Sequence, residues 1–258
     1  MPAPQDSNFA PDTPLAARIF PSPNFGARQG ALKPSILLLH YTGMPSAEAA
    51  IHWLAAPVSS VSSHYVVGED GTVTQMVPEA RRAWHAGVSH WRGSADINSC
   101  SVGIEIHNPG HELGYPDFPG AQMAAVEALC LDIVRRNAIA PHMVLAHSDV
   151  APRRKIDPGE KFDWARLAGA GVGLWVAPAP ISGGQVLERG SRGSAVMRLQ
   201  QNLCAYGYGI GLTGEYCEDT ELVVAAFQRH FRPALVDGRA DRSTVETLEA
   251  LLAALPAT

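Results

Sequence analysis

The sequence predicts a domain of the α/β or α+β class followed by a small three-helix domain. Three observations carry this expectation. Short apolar runs alternate with amphipathic stretches as far as about residue 175. A break rich in proline and glycine, VAPAPISGG, fills residues 176–184 and reads as a linker. Beyond it, three segments space their apolar residues by three and four. The length, 258 residues, suits one large domain or two unequal ones.

The elements follow in order. Residues 1–34 carry seven prolines and predict an extended arm, because proline removes a backbone donor and disfavours helix before it. Residues 35–40, SILLLH, form a short apolar run expected as a buried strand. Residues 46–55 have helical character. Residues 63–67 and 72–77 flank Glu69-Asp70-Gly71, a hairpin signal with glycine at the turn. Residues 101–107, SVGIEIH, alternate: Val102, Ile104 and Ile106 face one way, Glu105 and His107 the other. Residues 120–136 predict a long amphipathic helix, and residues 143–147, MVLAH, another short strand. In the last third, helices are expected over 194–206, 219–231 and 241–252. An internal echo opens the second and third of them. Gly214 precedes Thr220, and Gly238 precedes Thr244, by the same six positions. Glycine there permits a tight turn, and the polar residues can cap the helix.

Composition excludes several classes. Lys+Arg 20 against Asp+Glu 25 gives a net charge of −5, and the pI is near 6.0. A nucleic-acid binder shows a basic patch or a domain pI above about 9, so no nucleic-acid partner is expected. No apolar run approaches the roughly 18 residues of a membrane span. The N-terminus lacks a basic stretch followed by an apolar one, so no secretory signal is visible. That favours the cytoplasm, with the periplasm or cell envelope as the alternative. Cys100, Cys130, Cys204 and Cys217 are too few for a disulfide scaffold and read as buried small hydrophobes, although a Cys204–Cys217 bridge stays open. No long exposed apolar repeat is evident, which points to a monomer.

Histidine placement is the most informative single fact. Nine of ten histidines lie between His40 and His147. His40 and His147 each end a predicted strand, where α/β folds place their sites. Asp157 follows ten residues after His147. Two imidazoles and a carboxylate can hold Zn²⁺ and leave a fourth position for water, although hydrogen-bonded core histidines would show the same spacing. Glu105 sits among apolar neighbours, where a carboxylate is costly unless paired or functional. It is either a general base or one half of a salt bridge, with Arg81 or Arg82 as partner. Lys155 could steady an oxyanion or be a solvated charge. No G-x-S-x-G is present, which disfavours a serine hydrolase of that type.

Five stretches, LLLHYTG (37–43), SSHYVVGEDGTVTQMV (62–77), AWHAGVSHW (83–91), INSCSVGIEIHN (97–108) and LAHSDVAPRRKIDPGEKFDW (145–164), closely resemble the zinc amidase type 2 family. Its members are N-acetylmuramoyl-L-alanine amidases, related to peptidoglycan recognition proteins. The residues from Gln185 on resemble a peptidoglycan-binding type 1 module, through LERGSRGSAVMRLQQNL, AAFQ and VDGRADRST. Thr213 stands where that module usually has Asp. The resemblance implies a central mixed β-sheet flanked by helices, with an arm over 1–19, a catalytic domain over 20–175 and a helical domain over 185–258.

The family's roles, carried over by motif, make His40, His147 and Asp157 the ligands of one Zn²⁺. Glu105 and Lys155 become catalytic. Tyr41, His64, Trp84, His85 and Asn98 match positions that line the muropeptide groove. The implied reaction cuts the amide between N-acetylmuramic acid and L-alanine in peptidoglycan or 1,6-anhydro-muropeptides, in wall turnover or recycling. The alternative is a receptor that binds muropeptides without cutting them. A glycosidase acting through Glu105 would need a second carboxylate.

Overall fold

The computed structural model describes residues 9–30 and 33–256. The first eight residues of the expected arm therefore lie outside the described residues. Eight short strands are present among those described: β1 (Arg18–Ile19), β2 (Phe25–Ala27), β3 (Ile36–Tyr41), β4 (Tyr65–Val67), β5 (Val73–Gln75), β6 (Arg81–Ala83), β7 (Ser101–Ile106) and β8 (Val144–Ala146). Six of them form one mixed sheet in the order β1-β5-β4-β7-β3-β8, and β2 pairs with β6 apart from it. The interior strand β3 is parallel to both β7 and β8, and β4 is parallel to β7 but antiparallel to β5. A parallel interior strand is covered on both faces, so the continuous apolar run from Ile36 to Leu39 is what such a position requires.

Two helix layers supply that cover. Leu37, Leu39, Ile104 and Ile106 pack with Val126, Leu129 and Ile133 of a long helix, Gly120–Asn137. On the opposite face Ile36, Leu38 and Leu145 join Trp91 and, from the C-terminal part, Tyr206, Phe227 and Phe231 in one continuous apolar cluster. The two parts of the chain thus share a core. The linker is not free either: Ser243 Oγ donates to the Ala179 carbonyl (2.6 Å), and the Ala179 amide donates to Thr247 Oγ1 (3.0 Å).

The arm differs from expectation in one respect. Arg18–Ile19 adds to the sheet edge beside β5, and Phe25–Ala27 pairs with β6. An extended, proline-spaced segment needs only a neighbouring edge to become a strand. Strand β8 also ends one residue early. His147 opens a one-turn helix, His147–Val150, because the Asp149 carboxylate accepts the Ala146 N–H (2.8 Å) that a continuing ladder would use.

The C-terminal helices span Ser194–Tyr206, Glu218–Phe231 and Arg242–Ala253. The echo between their turns is structural. Gln200 Oε1 accepts from the amides of Thr213 and Gly214, and its Nε2 donates to Thr220 Oγ1. Gln228 repeats this with Asp237, Gly238 and Thr244. Thr213 does the work of the usual Asp. Its Oγ1 accepts from Gln200 Nε2 and the Glu215 amide, as Asp237 Oδ1 accepts from Gln228 Nε2 and the Arg239 amide. All four cysteines are free thiols, and only Cys130 is fully buried; Cys204 is exposed. The cysteines are therefore not uniformly the buried hydrophobes expected, and no Cys204–Cys217 bridge forms.

Candidate metal centre and active site

Strand register assembles the site. His40 lies directly beside Glu105 on the parallel pair β3–β7, so both side chains leave the same face of the sheet. Leu39 pairs with Ala146 on β8, which puts His147 next to His40 at the strand ends. Asp157 arrives from the following loop, whose backbone is tied back by the Ser148 amide to the Asp157 carbonyl (3.0 Å). The three ligand-type atoms converge. His40 Nδ1 and His147 Nδ1 are 2.8 Å apart, and Asp157 Oδ2 lies 3.3 and 3.0 Å from them.

The proton positions follow from the outer contacts. His147 Nε2 faces the Ala86 carbonyl at 3.2 Å, which can only accept, so that nitrogen carries the hydrogen and Nδ1 a lone pair. His40 is fixed by a longer chain. Ser101 Oγ donates to the Ile97 carbonyl (2.6 Å) and so accepts from His85 Nε2 (3.3 Å). His85 Nδ1 must then accept from His40 Nε2 (3.0 Å), leaving a lone pair on His40 Nδ1. Burial, then the neighbouring His147, pushes His40 down to about 4, and burial and His40 push His85 well down too. Two imidazole lone pairs and a carboxylate therefore meet with no donor between them. Such a set suits a divalent cation, and each imidazole is oriented through its other nitrogen, as metal-binding histidines usually are.

Gly103 makes the His85 relay possible. A Cβ on that residue would sit 2.6 Å from the His85 ring. Next along β7, Glu105 lines the cavity over the metal set, and its buried Oε2 has no hydrogen-bond partner among the described residues. Burial, reinforced by the negative Asp157, raises its pKa well above the ordinary glutamate value. The salt bridge weighed for Glu105 is not made by Arg82, which pairs with Asp96 (2.8 Å).

The cavity holds roughly 280 Å³, and Tyr41, Trp53, Trp84, His85 and Lys155 contribute to its walls. A second hollow of roughly 420 Å³, reaching to His111 and Arg154, meets it at Tyr41, Lys155 and Asp157. Of the residues expected to line a groove, Tyr41, Trp84 and His85 do so. His64 and Asn98 stand behind the wall. His64 Nδ1 accepts the Gly103 amide (2.9 Å), and Asn98 Oδ1 accepts the amides of His85 and Ala86 (3.0 and 2.8 Å). Asn98 thereby fixes the segment whose carbonyl orients His147. Trp53 was missed by sequence reasoning, although an aromatic on the outer side of an amphipathic helix is a visible signal; it is 47% exposed at the cavity rim.

Comparison with known proteins places the chain in a family. The family model described as N-acetylmuramoyl-L-alanine amidase matches residues 30–160. The chain belongs to the N-acetylmuramoyl-L-alanine amidase family. A second model, "Putative peptidoglycan binding domain", matches residues 192–248 of the amidase. N-acetylmuramoyl-L-alanine amidase AmiD of Escherichia coli is 36% identical over 232 residues, covering 84% of this chain and 82% of its own. The 1,6-anhydro-N-acetylmuramyl-L-alanine amidase AmpD of Citrobacter freundii is 37% identical over 168 residues, 58% of this chain and 88% of its own. Among solved structures, AmiD from E. coli in complex with its substrate anhydro-N-acetylmuramic acid-L-Ala-D-gamma-Glu-L-Lys superposes with a TM-score of 0.74 at 35% identity, over 87% of this amidase and 91% of that chain. AmpDh3 from Pseudomonas aeruginosa gives 0.73 at 28% identity over the whole of both chains.

Proposed function

We propose that the amidase hydrolyses the amide between N-acetylmuramic acid and L-alanine in peptidoglycan or anhydro-muropeptides, using one Zn²⁺ held by His40, His147 and Asp157. The observation that carries this reading is the convergence of two imidazole lone pairs and a carboxylate beside an unpartnered Glu105 oxygen. Zinc bound there supplies Lewis acidity to the scissile carbonyl and to an attacking water. Glu105 takes the proton from that water and passes it to the leaving amine of L-alanine. Its raised pKa suits a group that must hold a proton between the two steps. Lys155, on the cavity wall, offers positive charge to the carbonyl oxygen as it becomes an oxyanion. Tyr41, Trp84 and His85 shape the wall against the substrate, while His64 and Asn98 keep that wall in place.

We assign the chemistry to residues 20–175 and the appended helices to 185–258. Among the described residues no helix is long and apolar enough to cross a membrane. Substrate source therefore has to come from the reaction itself. The zinc-loaded protein is incubated with intact sacculi and, separately, with soluble anhydro-muropeptides, and the products are weighed by mass spectrometry. The expected result is chelator-sensitive release of peptides that begin with L-alanine. Release from sacculi shows reach to polymeric wall and fits an envelope role; release only from the soluble substrate fits cytoplasmic recycling. Glu105→Gln should keep its zinc and lose at least about 100-fold in turnover, the scale of a general base. Bound muropeptide with no product from either substrate would replace the amidase reading with a receptor.

A further inference from the structure

Asp149 is wholly buried, and the chemistry above does not use it. Its carboxylate is nevertheless fully engaged. Oδ2 accepts from the Ala146 amide (2.8 Å) and from His230 Nδ1 (2.7 Å), and Oδ1 accepts from the Tyr208 hydroxyl (2.6 Å). The amide belongs to the residue just before His147. The other two donors come from the C-terminal helical part. Neither of them is loose. The His230 ring is stacked between Trp164 (3.7 Å) and Phe231 (3.8 Å), and Tyr208 packs edge-on against Trp91 (5.0 Å).

The turn that carries Asp149, His147–Val150, is four residues long. A single helical turn is a poor structure by itself, because nucleation fixes several torsions for one hydrogen bond. This one bears His147 and is also bonded through Ser148 to Asp157. Slack in the turn would move two of the three convergent groups.

We propose that the C-terminal module is a positioning part of the metal centre, with Tyr208 and His230 holding the His147 turn through Asp149. The proposal rests on the zinc reading of His40, His147 and Asp157. It concerns the helical module and not the residues that carry the chemistry. The match to the C. freundii relative already takes in 88% of that protein, which has little chain left for such a module.

The test uses the full-length protein stripped of metal. Zinc affinity is measured by competition with a chromophoric chelator, then kcat and KM on a soluble muropeptide. Tyr208→Phe and His230→Leu should each weaken zinc binding about tenfold or more, the scale of lost outer-shell partners. The same variants should lower kcat with KM little changed, and His230→Gln, which keeps a donor, should recover part of both. Leu248→Ala is the control. It opens a hole in the same apolar cluster and should lower the melting temperature without touching zinc affinity. Wild-type affinity and kcat in Tyr208→Phe and His230→Leu would overturn the proposal. So would an equal loss of affinity in Leu248→Ala, which would reduce the contact to general stability. A wild-type protein that takes up no stoichiometric zinc is a separate result and would overturn the metal reading itself.

Discussion

Gly103 shows how little room the site leaves around its histidines. Its hydrogen faces the His85 ring, and any side chain there would meet that ring 2.6 Å from its Cβ. Gly103→Ala should therefore push His85 away from His40 Nε2 and free His40 to turn. The expected outcome is a loss of about tenfold or more in zinc affinity, read by chelator competition, with a matching drop in kcat. An unchanged affinity would mean that the His40 orientation does not depend on His85. At this scale the sequence revealed the groups that carry charge or lone pairs. His40, His147 and Glu105 stood out because such residues at strand ends or among apolar neighbours are unusual, and Asp157 followed from its spacing after His147 and from the motif it shares with the family. What stayed hidden were groups defined by contact alone. The Ala86 carbonyl, the bare Cα of Gly103 and the Asp149 carboxylate lie inside the stretches that carry the resemblance, but no role came with them, since each matters through what it touches. His64 and Asn98 were read as groove residues from their motifs, but only packing shows that they stand one layer back.

Among the elements, the helices were the most legible. Capping residues mark their starts: Asp241 accepts the Thr244 amide (2.8 Å) and Ser46 the Ala49 amide (3.2 Å). The edge strands β1 and β2 were not legible, because pairing partners far along the chain decide whether an extended segment becomes a strand. The repeated Gly–Thr turns were visible as a pattern, but the glutamines that anchor them were not. Gln200 and Gln228 are buried and each bonds two backbone amides of the following turn. Replacing either with leucine would take the acceptor from both amides, of which that of Gly238 is buried and the others part-buried. Gln228→Leu and Gln200→Leu should each cost about 1–3 kcal/mol, with Gln228→Leu the larger because the Gly238 amide is buried. Denaturant melts of the two variants would check this, and a loss below about 0.5 kcal/mol in both would show that water or neighbouring groups replace the glutamines.

For the whole molecule, the proline- and glycine-rich break at 176–184 suggested two independent bodies. The structure gives one shared apolar cluster running from Leu38 and Leu145 to Phe227 and Phe231. Tight packing across that boundary should couple the two halves in unfolding. Thermal melts followed by tryptophan fluorescence and by far-ultraviolet circular dichroism should coincide in one transition. Trp91, Trp164 and Trp175 report on the seam, since each contacts an aromatic residue of the C-terminal helices. Two separated transitions would instead show that the halves fold alone. The sequence could not show this coupling, because composition marks where a chain is unstructured and not what it lies against.

The seam also sets a limit on recombination. A domain that hangs from a flexible tether can be exchanged for another like a cassette. Here a replacement would inherit an exposed strip of Trp91 and Leu38 and a carboxylate at Asp149 stripped of its two donors. Any chimera, natural or built, would have to bring its own hydroxyl and imidazole to that carboxylate. Shuffling should therefore be disfavoured at residue 176, where composition alone would place the cut.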